Sequence, residues 1–505
     1  MTAPTGPANR TGLTDLKGHS QGSVQPRSAA RRPRRRVVLY NPCAVFYTMP
    51  LAVLAVGAHL DPERYEVTIV DGRLESDTAA ALAARLDGAL CLGVTVLTGA
   101  PIGDAVRLSR AAKAMRPDLP VVWGGWHPSM FGRECLAEPS VDVTVQGQGE
   151  NTFAEIVERL AAGEPATALG GCLGTTYRGA DGEVRQNPPR PLADVNSFRP
   201  HDYALLPVER YYALKGKRQL DYISSQGCAF RCAFCADPFV YQRRWVGLHP
   251  ERIGAEVEEL WRRYGFDDLS FQDETYFTYV ARVDAVAEEL LRRRLPITWA
   301  ATMRADQGDR LPEEVMAKCK RSGLRRVIVG VEAGSQEMLD RIKKDIKLEQ
   351  VIRSAEKCLR HGVDVIFPFI VGFPGESDES VHASLDLAKR LRSLSPGFTT
   401  PIFYFKPYPG SALTADATRD GYAPPTTLDE WSRFDFIGSS GPWVSPAKRR
   451  RVERFKFYQD VAWERGSAWR RPVQRLARWR LERDSYGLPV ERLFERWLRP
   501  VQPLS

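Results

Sequence analysis

The stretch Ser225-Gln226-Gly227-Cys228-Ala229-Phe230-Arg231-Cys232-Ala233-Phe234-Cys235 spaces three cysteines as C-x-x-x-C-x-x-C, directly after a short apolar strand, Tyr222-Ile223-Ser224. Thiolates hold iron–sulfur clusters, ordinarily four per cluster. Three of them in one loop leave one iron of a cubane open to another molecule. Structural zinc is the plainer use of close-set cysteines, but it takes four ligands and usually a second pair. No second Cys pair or close His follows. Cys43, Cys91, Cys135, Cys172, Cys319 and Cys358 stand singly, most of them in apolar or helical contexts where a free Cys packs as a small hydrophobe. The loop therefore reads as a cluster motif, and its spacing predicts chemistry as well as structure.

Downstream of the loop, strands are expected at 220–224, 268–272, 297–301, 325–331, 364–371 and 398–405, with helices at about 249–264, 280–293, 311–322, 336–360 and 377–392. Six βα repeats predict a partial barrel, not a closed eight-stranded one. In barrel enzymes the chemistry sits at the carboxyl ends of the strands. Those ends carry Gln272-Asp273-Glu274, Thr302-Met303-Arg304, Glu332-Ala333-Gly334-Ser335, Gly372-Phe373-Pro374-Gly375-Glu376 and Lys406-Pro407-Tyr408-Pro409-Gly410. One such loop would pass for ordinary surface. Five around one rim, with the cysteines on the first, point to a shared site.

Upstream, Val37–Tyr40, Tyr65–Val70, Leu90–Val96, Val121–Trp123 and Val141–Val145 read as buried strands. Helices are expected at Pro50–Leu60, Ala79–Leu86, Ile102–Met115, Gly132–Glu138 and Asn151–Ala162. Alternation of this kind predicts a doubly wound parallel sheet, whose ligands bind at the strands' carboxyl ends. Small and Gly-rich turns lie there: Asn41-Pro42, Asp71-Gly72, Thr95 to Gly99, Gly124-Gly125 and Gln146-Gly147. A hairpin is expected over 173–187, turning at Gly179-Ala180-Asp181-Gly182.

The cysteine spacing, with Phe234 just before the last Cys, resembles the signature of radical S-adenosylmethionine (SAM) enzymes. A doubly wound domain ahead of such a barrel resembles the cobalamin-binding subclass, and the likeness covers about residues 37–440. The resemblance implies an α/β fold: a Rossmann-like cobalamin-binding domain, a partial (β/α)6 radical SAM barrel and a helical C-terminal extension. It implies a [4Fe-4S] cluster on Cys228, Cys232 and Cys235 whose open iron chelates SAM, and reductive cleavage of SAM to methionine and a 5′-deoxyadenosyl radical. Phe234 belongs to the signature. Asp273 and Glu274 align with the segment that contacts the SAM amino group, Arg304 and Glu332 with polar partners of its carboxylate and ribose, and Gly372 to Gly375, with Pro374, with the edge that receives adenine. Asn41, Thr95, Thr98, Gly124, Gly125, Gln146 and Gly147 are the cobalamin-binding candidates.

Proteins that ligate cobalt through His use D-x-H-x-x-G after the second strand. Here the place reads Asp71-Gly72-Arg73-Leu74-Glu75, with no His, and His127 lies in another loop as a structural residue. The resemblance therefore implies cobalamin without a protein imidazole beneath it. It implies C-methylation of an unactivated carbon, a carbon that is not nucleophilic and is closed to polar methyl transfer. It also implies a flavodoxin- or ferredoxin-type reductant. Ring formation, as in the anaerobic cyclase of chlorophyll synthesis, is the alternative. A methylthiotransferase fits less well, since Cys43, Cys91 and Cys135 do not follow that family's cluster contexts. A cobalamin or SAM sensor without catalysis is the binding-module reading.

Composition agrees with an enzyme of several domains. The 505 residues are 43% hydrophobic and 26% charged, enough for buried cores. No stretch approaches a membrane span, and no apolar signal segment is visible. Single cysteines beside a cluster motif fit a reducing cytoplasm. The net charge of +9 is unevenly spread: residues 1–36 carry +7 and residues 446–505 carry +9, leaving an acidic middle that does not suit nucleic acid. Residues 1–35, rich in Gly, Pro, Ser, Thr and Arg, are expected to be a disordered basic tail. The domains are then 36–187, a Pro-rich irregular linker at 188–217, the barrel at 218–440, and a helical, basic region at 441–505. In that last region Trp463, Trp469, Trp479 and Trp497 interleave with Arg, and the expected role is a cap on the barrel. Peripheral contact with an anionic membrane is the second reading. High Arg content suggests a GC-rich bacterial source, and a small-molecule or natural-product substrate is the expectation.

Overall fold

The computed structural model describes residues 34–45, 47–434, 441–463 and 470–486. The expected tail, apart from Arg34 and Arg35, lies outside them, as do Trp469 and Trp497.

The first sheet has seven strands: β1 (Arg35–Asn41), β2 (Tyr65–Asp71), β3 (Ala89–Thr95), β4 (Val121–Gly124), β5 (Val143–Val145), β6 (Thr175–Arg178) and β7 (Val184–Gln186), in the order β2-β1-β3-β4-β5-β6-β7. The first five are parallel, and β6 and β7 add the expected hairpin antiparallel to β5. Parallel strands covered by helices on both faces read as unbroken apolar runs. Val37, Val38, Leu39 and Tyr40 of β1 are accordingly all buried. The order 2-1-3-4-5 places the topological switch between β1 and β3, where ligands of such sheets bind. The helix expected over Gly132–Glu138 is present but short, Gly132–Cys135, and an unexpected short helix, Trp126–Met130, precedes it. Residues 188–217 are more ordered than their prolines suggest, ending in the helix Val208–Lys215.

The second sheet is the open partial barrel. The strands of this part of the chain are β8 (Gln219–Tyr222), then β9 (Ser225–Gly227) and β10 (Trp245–Gly247), which form a separate two-stranded sheet, then β11 (Asp268–Phe271), β12 (Thr298–Arg304), β13 (Leu324–Gly330), β14 (Asp364–Ile366), β15 (Phe369–Val371), β16 (Phe398–Thr399) and β17 (Ile402–Tyr404). Six strands run parallel in the order β16-β14-β13-β12-β11-β8, unpaired between β8 and β16, and β15 pairs with β17. The fifth and sixth expected strands are each divided in two. Pro368 and Pro401 sit at the breaks, and a residue without an N–H interrupts a ladder. The helix Pro446–Trp463 lies beside the last strands of the sheet, where Gln459 Nε2 donates to the Thr400 carbonyl (2.9 Å) and Val452, Phe455, Phe457 and Tyr458 join the barrel core. Leu476 and Trp479 on the following helix, Arg471–Glu482, are exposed among Arg475 and Arg478. No helix among the described residues is long and apolar enough to cross a membrane.

The two sheets are joined by polar and apolar contacts. Tyr211 of the linker helix donates to Asp71 Oδ2 at the end of β2 (2.6 Å), and the Met49 amide donates to Asp221 Oδ2 of β8 (2.7 Å). After the barrel the chain returns to the first domain. The helix Leu428–Ser432 packs on the helix Ala100–Met115, and Trp431, 2% exposed, is buried within the first domain's core. Its ring meets Phe131 (5.2 Å), Phe434 (5.3 Å) and His127 (5.6 Å, centroid to centroid). Emptying such a site by Trp431→Ala is expected to cost ~3–5 kcal/mol, read as a fall in the midpoint of chemical denaturation.

Candidate active site

The cysteine loop is anchored at both ends. β9 enters it with Gly227 in the left-handed region (φ 86°), and a Cβ there would lie 2.4 Å from the Arg244 carbonyl. Only glycine lets that strand pass so close. Within the loop the Ala233 amide donates to Ile342 O (2.8 Å), and Ala233 O accepts from Leu413 N (2.9 Å). Cys228 and Cys232 are buried and Cys235 is half-buried. Burial pushes the Cys228 thiol up to about 11 and Cys235 well above its ordinary value. Iron binding would expel the protons of these two thiols. No group of three or more His, Cys, Asp or Glu among the described residues could hold a single metal ion. A cubane spreads three thiolates over three irons, so three thiols in one fixed loop, two of them buried, fit a cluster.

The other rims surround this loop but use their polar groups unequally. Glu274 faces it: its Oε2 accepts from Gly227 N (3.3 Å), and its carboxyl is pushed up to about 8, by burial first and by Asp237 second. Asp237 itself is raised to about 6 by burial. Neither carboxylate has an ion-pair partner among the described residues, so a cationic ligand would relieve both. The ammonium and sulfonium of SAM are such cations.

Asp273, by contrast, is fully spoken for. It accepts from Ser224 N (2.7 Å), Ser224 Oγ (2.6 Å) and Ser225 Oγ (2.6 Å), and so fixes the strand that leads to the cysteines. Arg304 turns to the cluster loop: Nη1 lies 3.6 Å from Cys232 Sγ and the guanidinium lies 3.7 Å over the Phe230 ring. Glu332, in left-handed backbone (φ 68°), pairs with buried Lys344 at 2.7 Å, and that ammonium lies 5.7 Å from the Phe234 ring. The Gly372 carbonyl accepts from Trp443 Nε1 of the C-terminal segment (2.6 Å), and the Pro374 carbonyl from Arg341 of the barrel helix Gln336–Arg341, so this loop is held from both sides.

A cleft open to solvent, with about 1220 Å³ of empty space, lies between the two sheets. One wall is the switch point of the first sheet, with Leu39, Gly93 and Thr95, then Gly124, Gly125 and Gly147. The opposite wall carries Gln226, Tyr241 and Glu274, immediately beside the cysteine loop. The walls are joined by Gln226, which accepts from Gln148 Nε2 (2.8 Å) and donates to Glu150 Oε1 (2.9 Å). Gly125 has φ 96°, and a Cβ there would come within 3.0 Å of Val96 N. Such bare backbone admits a large planar ring, and the remaining lining is mostly aliphatic. These residues fit a corrin.

Three of the cobalamin candidates do not line the cavity. Asn41 donates to Asp71 (3.2 Å), Gln146 to Thr176 Oγ1 (2.6 Å), and Thr98 Oγ1 lies 3.2 Å from His127 Nδ1. His127 is buried behind the wall, its imidazole pushed down to about 4 by burial. The Asp71-Gly72-Arg73 turn is structural. Burial would raise the Asp71 carboxyl, but the hydrogen bond and charge of Arg73 and the Tyr211 hydroxyl hold it below its ordinary range. Trp126, Gln148 and Glu150 line the cavity from turns that carry the resemblance, whereas sequence reasoning missed Tyr241 and also His201, a linker residue that lines the cavity. For Gln148 and Glu150 the signal was present in the Gly-Gln-Gly-Glu turn after β5. For His201 there was none.

Residues 222–388 match the Radical SAM superfamily, and residues 38–157 match the B12 binding domain. An uncharacterized methyltransferase of Pyrococcus horikoshii is 33% identical over 374 residues, 72% of this chain and 78% of that protein. The anaerobic magnesium-protoporphyrin IX monomethyl ester cyclase of Rubrivivax gelatinosus is 28% identical over 64% of this chain, which spans 57% of the cyclase's length. The cytidylyl-2-hydroxyethylphosphonate methyltransferase of Streptomyces wedmorensis is 25% identical over 82% of this chain and 89% of its own. Among solved structures, the radical SAM methyltransferase TsrM of Kitasatospora setae, with cobalamin and a [4Fe-4S] cluster bound, superposes with a TM-score of 0.66 at 18% identity. It covers 88% of this chain and 99% of its own, a likeness of fold.

Proposed function

Since this chain belongs to the radical SAM superfamily and carries a B12 binding domain, we propose that it is a C-methyltransferase acting on an unactivated carbon of a small molecule. The observation that supports this most is the single cavity shared by the corrin wall and the rim beside the cysteines. When bound, the cluster with SAM supplies hydrogen abstraction, and the corrin supplies a methyl group to the same space.

This chain's residues do the rest. Cys228, Cys232 and Cys235 hold the cluster, and Asp273 positions their loop through Ser224 and Ser225. Glu274 and Asp237 would offset the positive charge of SAM. Leu51, Ala52, Ala55 and Val56 line the first domain's side of the cavity and exclude water, which protects a reactive carbon from side reactions. A low-potential flavodoxin- or ferredoxin-type protein would supply the electron.

Ring formation is the second reading, favoured by the similarity to the cyclase of Rubrivivax gelatinosus. The test is an anaerobic incubation of reconstituted protein with methyl-labelled SAM, hydroxocobalamin, reductant and a metabolite extract of the host. Methylation is expected to give 5′-deoxyadenosine and S-adenosylhomocysteine together, and one labelled product heavier than its substrate by a methylene. Deoxyadenosine without S-adenosylhomocysteine would replace methylation with cyclisation.

The corrin is expected to lack a protein imidazole beneath it. The cobalt EPR spectrum of the reduced, cobalamin-loaded protein should show no histidine nitrogen splitting, and His201→Gln should leave it unchanged. A splitting that disappears in His201→Gln would make the linker histidine the lower ligand.

A further inference from the structure

Arg304 ends β12 with 5% of its surface exposed, and each of its three side-chain nitrogens has a partner. Nε donates to Asp306 Oδ1 (2.9 Å), Nη2 to the Lys344 carbonyl (2.6 Å), and Nη1 lies 3.6 Å from Cys232 Sγ. The flat face of the guanidinium lies 3.7 Å over Phe230, in the same loop as the cysteine. Two hydrogen bonds and a stacked ring thus aim the third donor at a sulfur. The other buried cation nearby, Lys344, is spent on Glu332 at 2.7 Å. The Lys344 ammonium also senses Cys232, but among the described residues Arg304 is the cation within hydrogen-bond reach of that sulfur.

We infer that Arg304 is a positioning residue that raises the reduction potential of the cluster by donating to the Cys232 sulfur. Reduction adds one electron, taken from a low-potential one-electron donor, and no bond to the protein forms or breaks. The reduced cluster carries one more negative charge, spread partly over its thiolate sulfurs. A hydrogen bond and a fixed positive charge at one of those sulfurs stabilise the reduced form more than the oxidised one. Burial enlarges the effect, because little water intervenes to screen it. Asp306, paired with Nε at 2.9 Å, moderates the same charge.

The inference rests on the cluster assignment and not on methylation, and its test needs neither cobalamin nor substrate. Wild type, Arg304→Gln and Asp306→Asn are reconstituted anaerobically, their iron and sulfide are counted, and the cluster is titrated with dithionite under EPR without SAM. Arg304→Gln is expected to lower the midpoint enough to cut the reduced-to-oxidised ratio at least about tenfold at the wild-type midpoint, 59 mV for one electron. Asp306→Asn leaves the guanidinium in place without its counter-charge, and its midpoint is expected to rise. An unchanged midpoint in Arg304→Gln at full cluster content would overturn the inference, and weakened SAM binding with that unchanged midpoint would return Arg304 to the SAM carboxylate. Where Arg304→Gln assembles no cluster, Asp306→Asn decides: an upward shift supports the inference and an unmoved midpoint sinks it.

Discussion

Cys232→Ala protein, reconstituted anaerobically with iron and sulfide, is expected to hold no stable cluster and to cleave no SAM above background. The loop has three thiols, so removing one leaves too few thiolates to retain a cubane. The loss also strands Arg304, whose buried Nη1 faces Cys232 Sγ at 3.6 Å. Changes to groups that merely support a metal ligand cost about 10–100-fold in affinity or activity, and loss of the ligand itself should exceed that. Hydroxocobalamin binding should survive, since none of the three cysteines lines the cavity. Wild-type rates of SAM cleavage by this variant would remove the foundation of the whole functional reading.

Gly124→Phe is expected to separate the two cofactors the other way, weakening corrin binding while SAM cleavage persists. Gly124 ends β4 and lines the cavity. A Cβ added there meets only Val145 Cβ, at 3.8 Å, which is ordinary contact. The fold can carry a side chain at this position, and Phe suits a strand. The ring must then occupy space the corrin needs. Gly125 next door would be a poor choice, because its φ of 96° and the 3.0 Å approach to Val96 N would strain the backbone. The variant should weaken corrin binding at least about tenfold, or 1.4 kcal/mol. The readout is corrin absorbance after desalting, with thermal unfolding unchanged. Retention of corrin at wild-type levels would move the cobalamin site away from the switch point of the first sheet.

The parts of the molecule that are local in sequence were legible. Alternating apolar runs placed all five parallel strands of the first sheet and the order of the barrel repeats, because buried parallel strands leave a plain hydrophobic signal. The cysteine spacing needed no partner elsewhere to be read. The rim loops were placed at the right strand ends, but residue type does not say which way a polar group turns. Asp273 and Glu274 are neighbours, and one is saturated by Ser224 and Ser225 while the other faces the cysteines. That distinction depends on which residues a strand of another repeat brings within reach. Asn41, Thr98 and Gln146 do not line the cavity for the same reason: Asp71, His127 and Thr176 claim them across the fold. The helix expected over 336–360 broke into Gln336–Arg341 and Leu348–Arg360, with Lys343 and Asp345 in left-handed backbone between them. That kink brings Lys344 to Glu332, a pairing no periodicity announces.

The return of Trp431 to the first domain bears on how the protein is made. A ribosome finishes the corrin-binding half before it has begun most of the barrel, and domains fold in that order. The nascent first half then has a core that lacks its last aromatic ring, and an apolar slot beside His127 and Phe131 stays open to the cell. The slot closes only after the sixth barrel strand has been synthesised and the chain has turned back. A transcript truncated just before Trp431 would still encode both sheets and all three cluster cysteines. Its product would display an unsealed hydrophobic groove to chaperones and proteases, so only a fully translated catalytic half yields a finished cofactor half.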